Sequence, residues 1–208
     1  MTTFTLSSFR DRPLQGRDDC TFCQIASGSQ PAHLVYESER CLAFLDILPI
    51  RRGHVLVVPR RHVDNLAALS VVESNGSKTG EAGEAEEFIR GLVVVTRGVG
   101  KALEDDRLQI ITNQVYGQVV PHLHFHIVPA PPLPGSTPSL SSSTASSRTS
   151  PKKETPPPQR SLLPLIGHGR DELDDDEAVE LARQIRAAVD EVVKEETARR
   201  TGGPDAKL

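Results

Sequence analysis

The sequence predicts a mixed helix-and-strand domain, and three observations carry that prediction. Five short stretches have the length and apolar content of strands, with turn residues between them. Two longer stretches repeat apolar residues at helical spacing. A segment rich in Pro, Ser and Thr, with little to bury, separates the second of these helices from everything before it.

In chain order, residues 1–18 are polar and read as a flexible tail. The unit tightens at Cys20. His33 to Glu37 and Arg40 to Asp46 read as two strands about a turn at Ser38-Glu39. His54 to Val58 is a continuous apolar run closed by Pro59, the pattern of a buried strand. His62 to Leu69 has Leu66 and Leu69 on one side and reads as a short helix. Residues 71–86, rich in Gly, Ser and Glu, read as an excursion with little fixed structure. Phe88, Leu92, Thr96, Val99 and Leu103 then fall at helical spacing and predict a helix over 84–104, against the resistance of Val93-Val94-Val95 and three glycines. Arg107 to Thr112 and Pro121 to Val128 read as the last strands, closing a domain over 19–130.

The composition changes abruptly after that. Between Ser136 and Ser150, 11 of 15 residues are Ser or Thr, and residues 131–160 hold eight of the 16 prolines. Such a stretch cannot bury enough apolar surface to offset its ordering entropy, so 131–160 reads as a disordered insertion. Residues 161–198 follow as a C-terminal segment. The acidic run Asp171 to Asp176 suits a helix N-terminus, and Ala178, Leu181, Ile185, Ala188 and Val192 give a helix over 174–198 with one apolar face. That face is expected to pack on the core, with partner binding as the alternative. Residues 199–208 read as a tail.

Composition also narrows the function. The net charge of −4 supplies no general attraction to nucleic acid or an anionic membrane, and neither partner is expected. No stretch approaches the length of a membrane span, and Met1 to Gln15 holds no apolar run of the signal-peptide kind. Three cysteines, an odd number, argue against a disulfide framework and for a reducing compartment, cytoplasm or nucleus. The pairs Arg51-Arg52 and Arg60-Arg61 read as solvated turns, with attraction of phosphate as the alternative.

The chemistry concentrates in His122-Leu123-His124-Phe125-His126. On a strand, His122, His124 and His126 share one face, while Leu123, Phe125 and Ile127 take the other. Two chemical readings fit. The imidazoles could be metal ligands. Alternatively one could be a nucleophile toward phosphorus, with its neighbours passing protons, since histidine titrates near neutral pH.

The surrounding residues resemble the histidine triad (HIT) family, and within it the Hint-like branch of adenosine 5'-monophosphoramidases. The resemblance rests on an ordered set: Cys20-Thr21-Phe22-Cys23-Gln24-Ile25, Phe44-Leu45-Asp46-Ile47-Leu48-Pro49, Gly53-His54-Val55-Leu56-Val57-Val58-Pro59-Arg60-Arg61-His62, and Gly117-Gln118-Val119-Val120-Pro121 leading into the triplet. It covers roughly residues 19–130, and the acidic helix after Gly167 also looks like that branch. The resemblance implies an α+β fold with an antiparallel five-stranded sheet and packed helices, a homodimer, and a purine nucleotide (AMP conjugate) as substrate. It implies that His124 attacks the α-phosphorus and that His126 contacts phosphate. It matches Asp46 to the carboxylate that holds the ribose hydroxyls, for which capping a turn is the competing role. Phe22, Ile25, Phe44 and Ile47 match the nucleoside pocket, with plain core as the competing role. Asn113, Gly117 and Gln118 match the phosphate-side loop, although Asn113 stands slightly closer to His122 than is usual. Val119 falls where many members carry Ser or Thr.

Cys20 and Cys23 form a C-x₂-C pair, for which redox and zinc chemistry are both open on the residues alone. The resemblance adds His62 and His122, which match positions that bind zinc beside such a pair in some bacterial members. One structural Zn²⁺ per chain is the expectation, held by Cys20, Cys23, His62 and His122. Cys41 reads as core, while His33, His54 and His168 have no partner legible in the sequence.

Overall fold

The computed structural model describes residues 17–70, 83–131 and 172–201. Strands β1 (Leu34–Glu37), β2 (Cys41–Leu45), β3 (Val55–Pro59), β4 (Leu108–Ile111) and β5 (Phe125–Pro129) form one sheet in the order β1-β2-β3-β5-β4. Every neighbouring pair is antiparallel, which is the α+β architecture the sequence implies. Helices α1 (Thr21–Ser27), α2 (Glu84–Leu103) and α3 (Asp175–Thr201) cover it.

Strand alternation sorts the core into two layers. Cys41, Ala43 and Leu45 of β2 and Val55 and Val57 of β3 face α2 and α3. Leu42 and Phe44 of β2 and Leu56 and Val58 of β3 face α1. Both central strands are therefore buried on both faces, which explains why their sequence is continuously apolar rather than alternating. Leu56 pairs across the ladder with His126 and Val57 with Phe125, so β5 keeps Phe125 and Ile127 on the α2/α3 face and turns His126 to the α1 face.

The glycines that weaken the helical reading of α2 lie where other chain segments press against it. A Cβ on Gly98 would stand 2.3 Å from Val189 Cγ2 of α3, and one on Gly91 would stand 2.8 Å from Cys41 Sγ. The two helices meet at this backbone-to-side-chain approach.

Several boundaries differ from expectation. Helix α1 is not foreseen at all. Its signal is short: Cys20 at the N-cap and Gly28 at φ 80°, whose left-handed turn closes the helix through bonds to the Gln24 and Ile25 carbonyls. The helix expected over His62 to Leu69 is one 3₁₀ turn, Leu66–Ala68. The Asn65 side chain caps it by accepting from Ala68 N, and Leu69 is already extended. The last strand starts at Phe125 rather than Pro121, because Leu123 N donates to the Val63 carbonyl instead of joining the ladder. Helix α2 runs Glu84–Leu103, as the periodicity predicts, so only the end of the stretch read as an excursion is helical; α3 runs to Thr201, into the stretch read as a tail. The rest of the excursion, the Pro/Ser/Thr-rich segment after Pro131, and His168 lie outside the described residues. Among the described residues no helix is long and apolar enough to cross a membrane.

Arg51-Arg52 lies in a turn with the Arg52 side chain 53% exposed, as expected, but Arg60-Arg61 is not a solvated turn. Arg60 is 2% exposed. Its guanidinium donates to the Ser38 and Ala26 carbonyls and pairs with Glu37, which ties the end of α1 to the β1–β2 hairpin. Arg61 pairs with Glu84 at the start of α2, Arg52 with Glu177 of α3, and Arg51 donates to the Pro129 carbonyl.

Candidate active site and metal centre

Four donor groups converge where α1 begins. Cys20 at the N-cap and Cys23 in the first turn lie on one side of α1. Cys20 Sγ is 3.4 Å and Cys23 Sγ 3.6 Å from His122 Nδ1, and Cys23 Sγ is 3.2 Å from His62 Nδ1. The four ligand atoms lie within 4.8 Å of one another, so Cys20, Cys23, His62 and His122 could hold a metal ion.

Partner chemistry orients both imidazoles for that task. The second nitrogen of His122, Nε2, donates to the Pro59 carbonyl at 2.9 Å, and His62 Nε2 lies 3.0 Å from Asp64 Oδ1. A carbonyl oxygen only accepts, so His122 carries its proton on Nε2 and turns an Nδ1 lone pair toward the sulfurs, whereas His62 Nε2 faces both an acceptor, Asp64, and a donor, the Arg17 guanidinium at 3.2 Å. Arg17 in turn braces Asp64 at 3.2 Å. Burial pushes the His122 imidazole down to about 4, which keeps it neutral, as a metal ligand must be. Burial pushes the Cys23 thiol up to about 11; a bound cation would reverse that by favouring the thiolate. Two sulfurs and two nitrogens are the donor set of a closed tetrahedral zinc site, so the residues fit that metal.

The remaining histidines lie on the other side of His122. His124 Nδ1 donates to the His122 carbonyl at 2.6 Å, which leaves Nε2 as the lone-pair nitrogen. Burial lowers the affinity of His124 for a proton, so the ring stays neutral. Phe22 packs edge-on against His122, His124 and Phe44, with the His124 centroid at 5.3 Å. The His126 ring lies 4.9 Å from that of His124. His126 Nδ1 is 2.9 Å from His54 Nε2, and His54 Nδ1 meets the Ile50 amide at 3.2 Å and Asp46 Oδ2 at 3.3 Å. Asp46 Oδ1 accepts from Leu48 N at 2.9 Å, so this carboxylate also caps the turn after β2.

The other residues singled out in the sequence are placed unevenly. Phe22, Ile25 and Phe44 are buried together in the α1-side core. Ile47 is 61% exposed, at the rim and not in the core. Asn113 and Gln118 are half-buried in the β4–β5 loop, where Gly117 takes φ 73°. The Gln118 side chain is engaged within the protein: it accepts from Val115 N at 3.0 Å and donates to the Asp64 carbonyl at 2.6 Å, linking this loop to the loop that carries His62. Val119 is 79% exposed. Of the histidines that sequence reasoning left without a partner, His33 meets Asp175 at the start of α3 at 3.2 Å, and His54 is fully buried at the back of the histidine row. The only signal for His54 was Gly53-His54 directly ahead of the apolar strand, and that gains meaning only through the pairing of β3 with β5.

Comparison with known proteins agrees with the motifs. The HIT domain model matches residues 27–132. A HIT-like protein of Saccharolobus solfataricus is 40% identical over 116 residues, covering 53% of this chain and 73% of that one. An adenosine 5'-monophosphoramidase of Schizosaccharomyces pombe is 32% identical over 114 residues, covering 54% and 74%. The crystal structure of a zinc-bound histidine triad protein from Mycobacterium smegmatis superposes with a TM-score of 0.51 at 26% identity, over 85% of this chain and 97% of that one. The chain belongs to the histidine triad family.

Proposed function

We propose that this chain is a histidine-triad nucleotide hydrolase that releases AMP from adenosine 5'-monophosphoramidates through a covalent nucleotidyl-His124 intermediate. The observation that carries this reading is the fixed tautomer of His124. With Nδ1 donating to the His122 carbonyl and burial disfavouring the charged ring, Nε2 presents a lone pair for attack on phosphorus. His126, one ring away, contacts the phosphate and supplies the proton with which the amine departs. Asp46 takes the ribose hydroxyls, and Phe22, Phe44, Ile25 and Ile47 form the base-side surface. Asn113, Gly117 and Gln118 border the phosphate, mainly through backbone groups, because the Gln118 amide is committed to its own loop. The similar phosphoramidase of S. pombe supports the substrate class.

Zinc held by Cys20, Cys23, His62 and His122 would serve as a structural staple, since four protein ligands leave no open position for substrate. We also read the protein as a homodimer: Ile110 on edge strand β4 and Ile89 and Val93 on α2 are exposed apolar residues a second copy could cover. Three free cysteines suit a reducing compartment, the cytoplasm or nucleus.

A dinucleoside polyphosphate hydrolase is the rival reading, favoured by Val119, which offers no hydroxyl for a departing amine. Steady-state turnover of adenosine 5'-phosphoramidate and diadenosine tetraphosphate, side by side, tests the choice. The expected result is a higher kcat/KM on the phosphoramidate, an acid-labile adenylyl adduct trapped on rapid quenching at neutral or alkaline pH, and loss of turnover on the order of 10⁶ in rate, with loss of the adduct, in His124→Ala. Near-native turnover by His124→Ala would remove the nucleophile assignment, and a preference for diadenosine tetraphosphate would change the substrate class alone.

A further inference from the structure

Strands β3 and β4 flank β5, and both run antiparallel to it. They therefore run parallel to each other, and the segments that follow them leave the sheet at one end, where β5 begins. After β3 comes the segment from His62 to Leu69, and after β4 the phosphate-side loop from Thr112 to Val120. The sheet does not join these segments, because β5 separates their strands. Two glutamine side chains do. Gln114 Oε1 accepts from Leu66 N at 2.8 Å, while its Nε2 donates to the Asn113 carbonyl and to Thr112 Oγ1, each at 3.0 Å. Gln118 Nε2 donates to the Asp64 carbonyl at 2.6 Å, while its Oε1 accepts from Val115 N at 3.0 Å. A backbone N–H only donates and a carbonyl only accepts, so each amide has a single orientation.

The segment that the glutamines grip is held independently. Val63 is buried and its carbonyl accepts from Leu123 N at 2.6 Å, Asp64 pairs with Arg17, and Asn65 caps the Leu66–Ala68 turn. The loop has no such support from burial: Gln114, Val115 and Tyr116 are exposed. Yet Val115 has φ 59°, a value that a β-branched residue rarely takes. Such a conformation persists only where its surroundings impose it. At Val115 the two glutamines do so, since one fixes the residue before it and the other takes its amide. The turn that results brings Gly117, at φ 73°, against Asn113, so that a Cβ on Gly117 would lie 3.8 Å from Asn113 Cγ and Oδ1.

We propose that Gln114 is a positioning residue for the nucleotide phosphate: its side-chain amide hitches the loop to Leu66 and holds the strained turn at Val115, so that Asn113 and Gly117 are set for phosphate before substrate arrives. The inference rests on the hydrolase reading above, in which Asn113 and Gly117 border the phosphate, and adds a residue to it. Without the hitch, Val115 relaxes toward the negative φ that its side chain favours. The loop then has its binding shape only part of the time, and the apparent dissociation constant rises by the reciprocal of that fraction. The chemical step keeps its rate, because His124 is oriented by its own bond to the His122 carbonyl.

The test separates phosphate binding from nucleoside binding. In Gln114→Ala, KM for adenosine 5'-phosphoramidate and Kd for AMP are expected to rise about fivefold, the size of one net hydrogen bond, with kcat within about twofold. Kd for adenosine, which has no phosphate, should stay within about 1.5-fold of the native value, since a hitch on the phosphate-side loop adds nothing to base or ribose contacts. Glycine takes a positive φ without strain, so Val115→Gly in the Gln114→Ala background should return AMP affinity to within about twofold of native. Unchanged AMP affinity in Gln114→Ala, an equal loss for adenosine, or no recovery in the double variant would overturn the proposal. Amide hydrogen exchange on the unaltered protein covers the case in which a variant fails to fold. Leu66 and Val115 amides, bonded to glutamine side chains, should exchange several-fold more slowly than an unprotected amide, and exchange at the unprotected rate would equally overturn it. Failure of the underlying reading looks different, because the unaltered protein would then leave adenosine 5'-phosphoramidate uncleaved.

Discussion

At the scale of single residues, each imidazole's role follows from what its other nitrogen touches. His122 gives Nε2–H to the Pro59 carbonyl and offers Nδ1; His124 gives Nδ1–H to the His122 carbonyl and offers Nε2. Two neighbouring rings are thereby given two tasks with no change of side-chain chemistry. The same logic separates Arg60 from a surface charge. Its guanidinium is buried, burial works against its protonation, and the adjacent Glu37 carboxylate offsets that. Removing the carboxylate leaves an uncompensated buried cation, so Glu37→Ala is expected to destabilise the fold by about 3 kcal/mol, since breaking a buried pair costs about 3–5 kcal/mol and Glu37 keeps some solvent contact. For a domain of this size that corresponds to a melting temperature lower by roughly 6–12 °C. A shift under about 2 °C in thermal unfolding would mean that water reaches the guanidinium in the variant.

At the scale of elements, a substitution in α2 separates helix propensity from packing. Gly to Ala inside a helix ordinarily stabilises by about 0.5–1 kcal/mol. At Gly98 the added methyl would lie 2.3 Å from Val189 Cγ2 and 3.0 Å from its Cα, a backbone atom that cannot rotate aside. Overpacking costs about 1–3 kcal/mol, so Gly98→Ala is expected to destabilise, and Gly98→Ala combined with Val189→Ala to recover much of the loss. A stabilised single variant in urea unfolding would show that α3 moves away at little cost. These elements also show what was legible in the sequence. Helices α2 and α3 announced themselves because an apolar face repeats along each of them, and β1 to β3 because each is a short apolar run bounded by turn residues. Helix α1 did not, because seven residues make under two helical turns and its order depends on the contacts Phe22, Cys23 and Ile25 make elsewhere. The Leu66–Ala68 turn was overread because two leucines three apart suit one 3₁₀ turn as well as a helix. His54 stayed without a role because its partner is 72 residues away and reaches it only through the β3–β5 ladder.

At the scale of the whole molecule, the four-ligand cluster ties together three segments that no hydrogen-bonded ladder joins: the start of α1, the loop after β3 that carries His62, and the approach to β5 at His122. The same His122 supplies the carbonyl that fixes the His124 tautomer, and Phe22 of α1 packs on both rings. A metal there would hold the nucleophile's surroundings without touching substrate. The expected metal content is one zinc per chain in protein purified without chelators. Cys20→Ala should abolish that content and lower the melting temperature, because structural zinc contributes apparent binding free energy on the order of 10 kcal/mol, comparable with the whole stability of a domain. Well below the new melting temperature the variant should retain turnover within about tenfold, because His124, His126, His54 and Asp46 are held by hydrogen bonds of their own. Zinc-free wild-type protein with an unchanged melting temperature after chelation would sink the staple. Zinc loss that stops turnover while leaving the melting temperature where it was would instead place the metal in the reaction, against the closed donor set that Cys20, Cys23, His62 and His122 present.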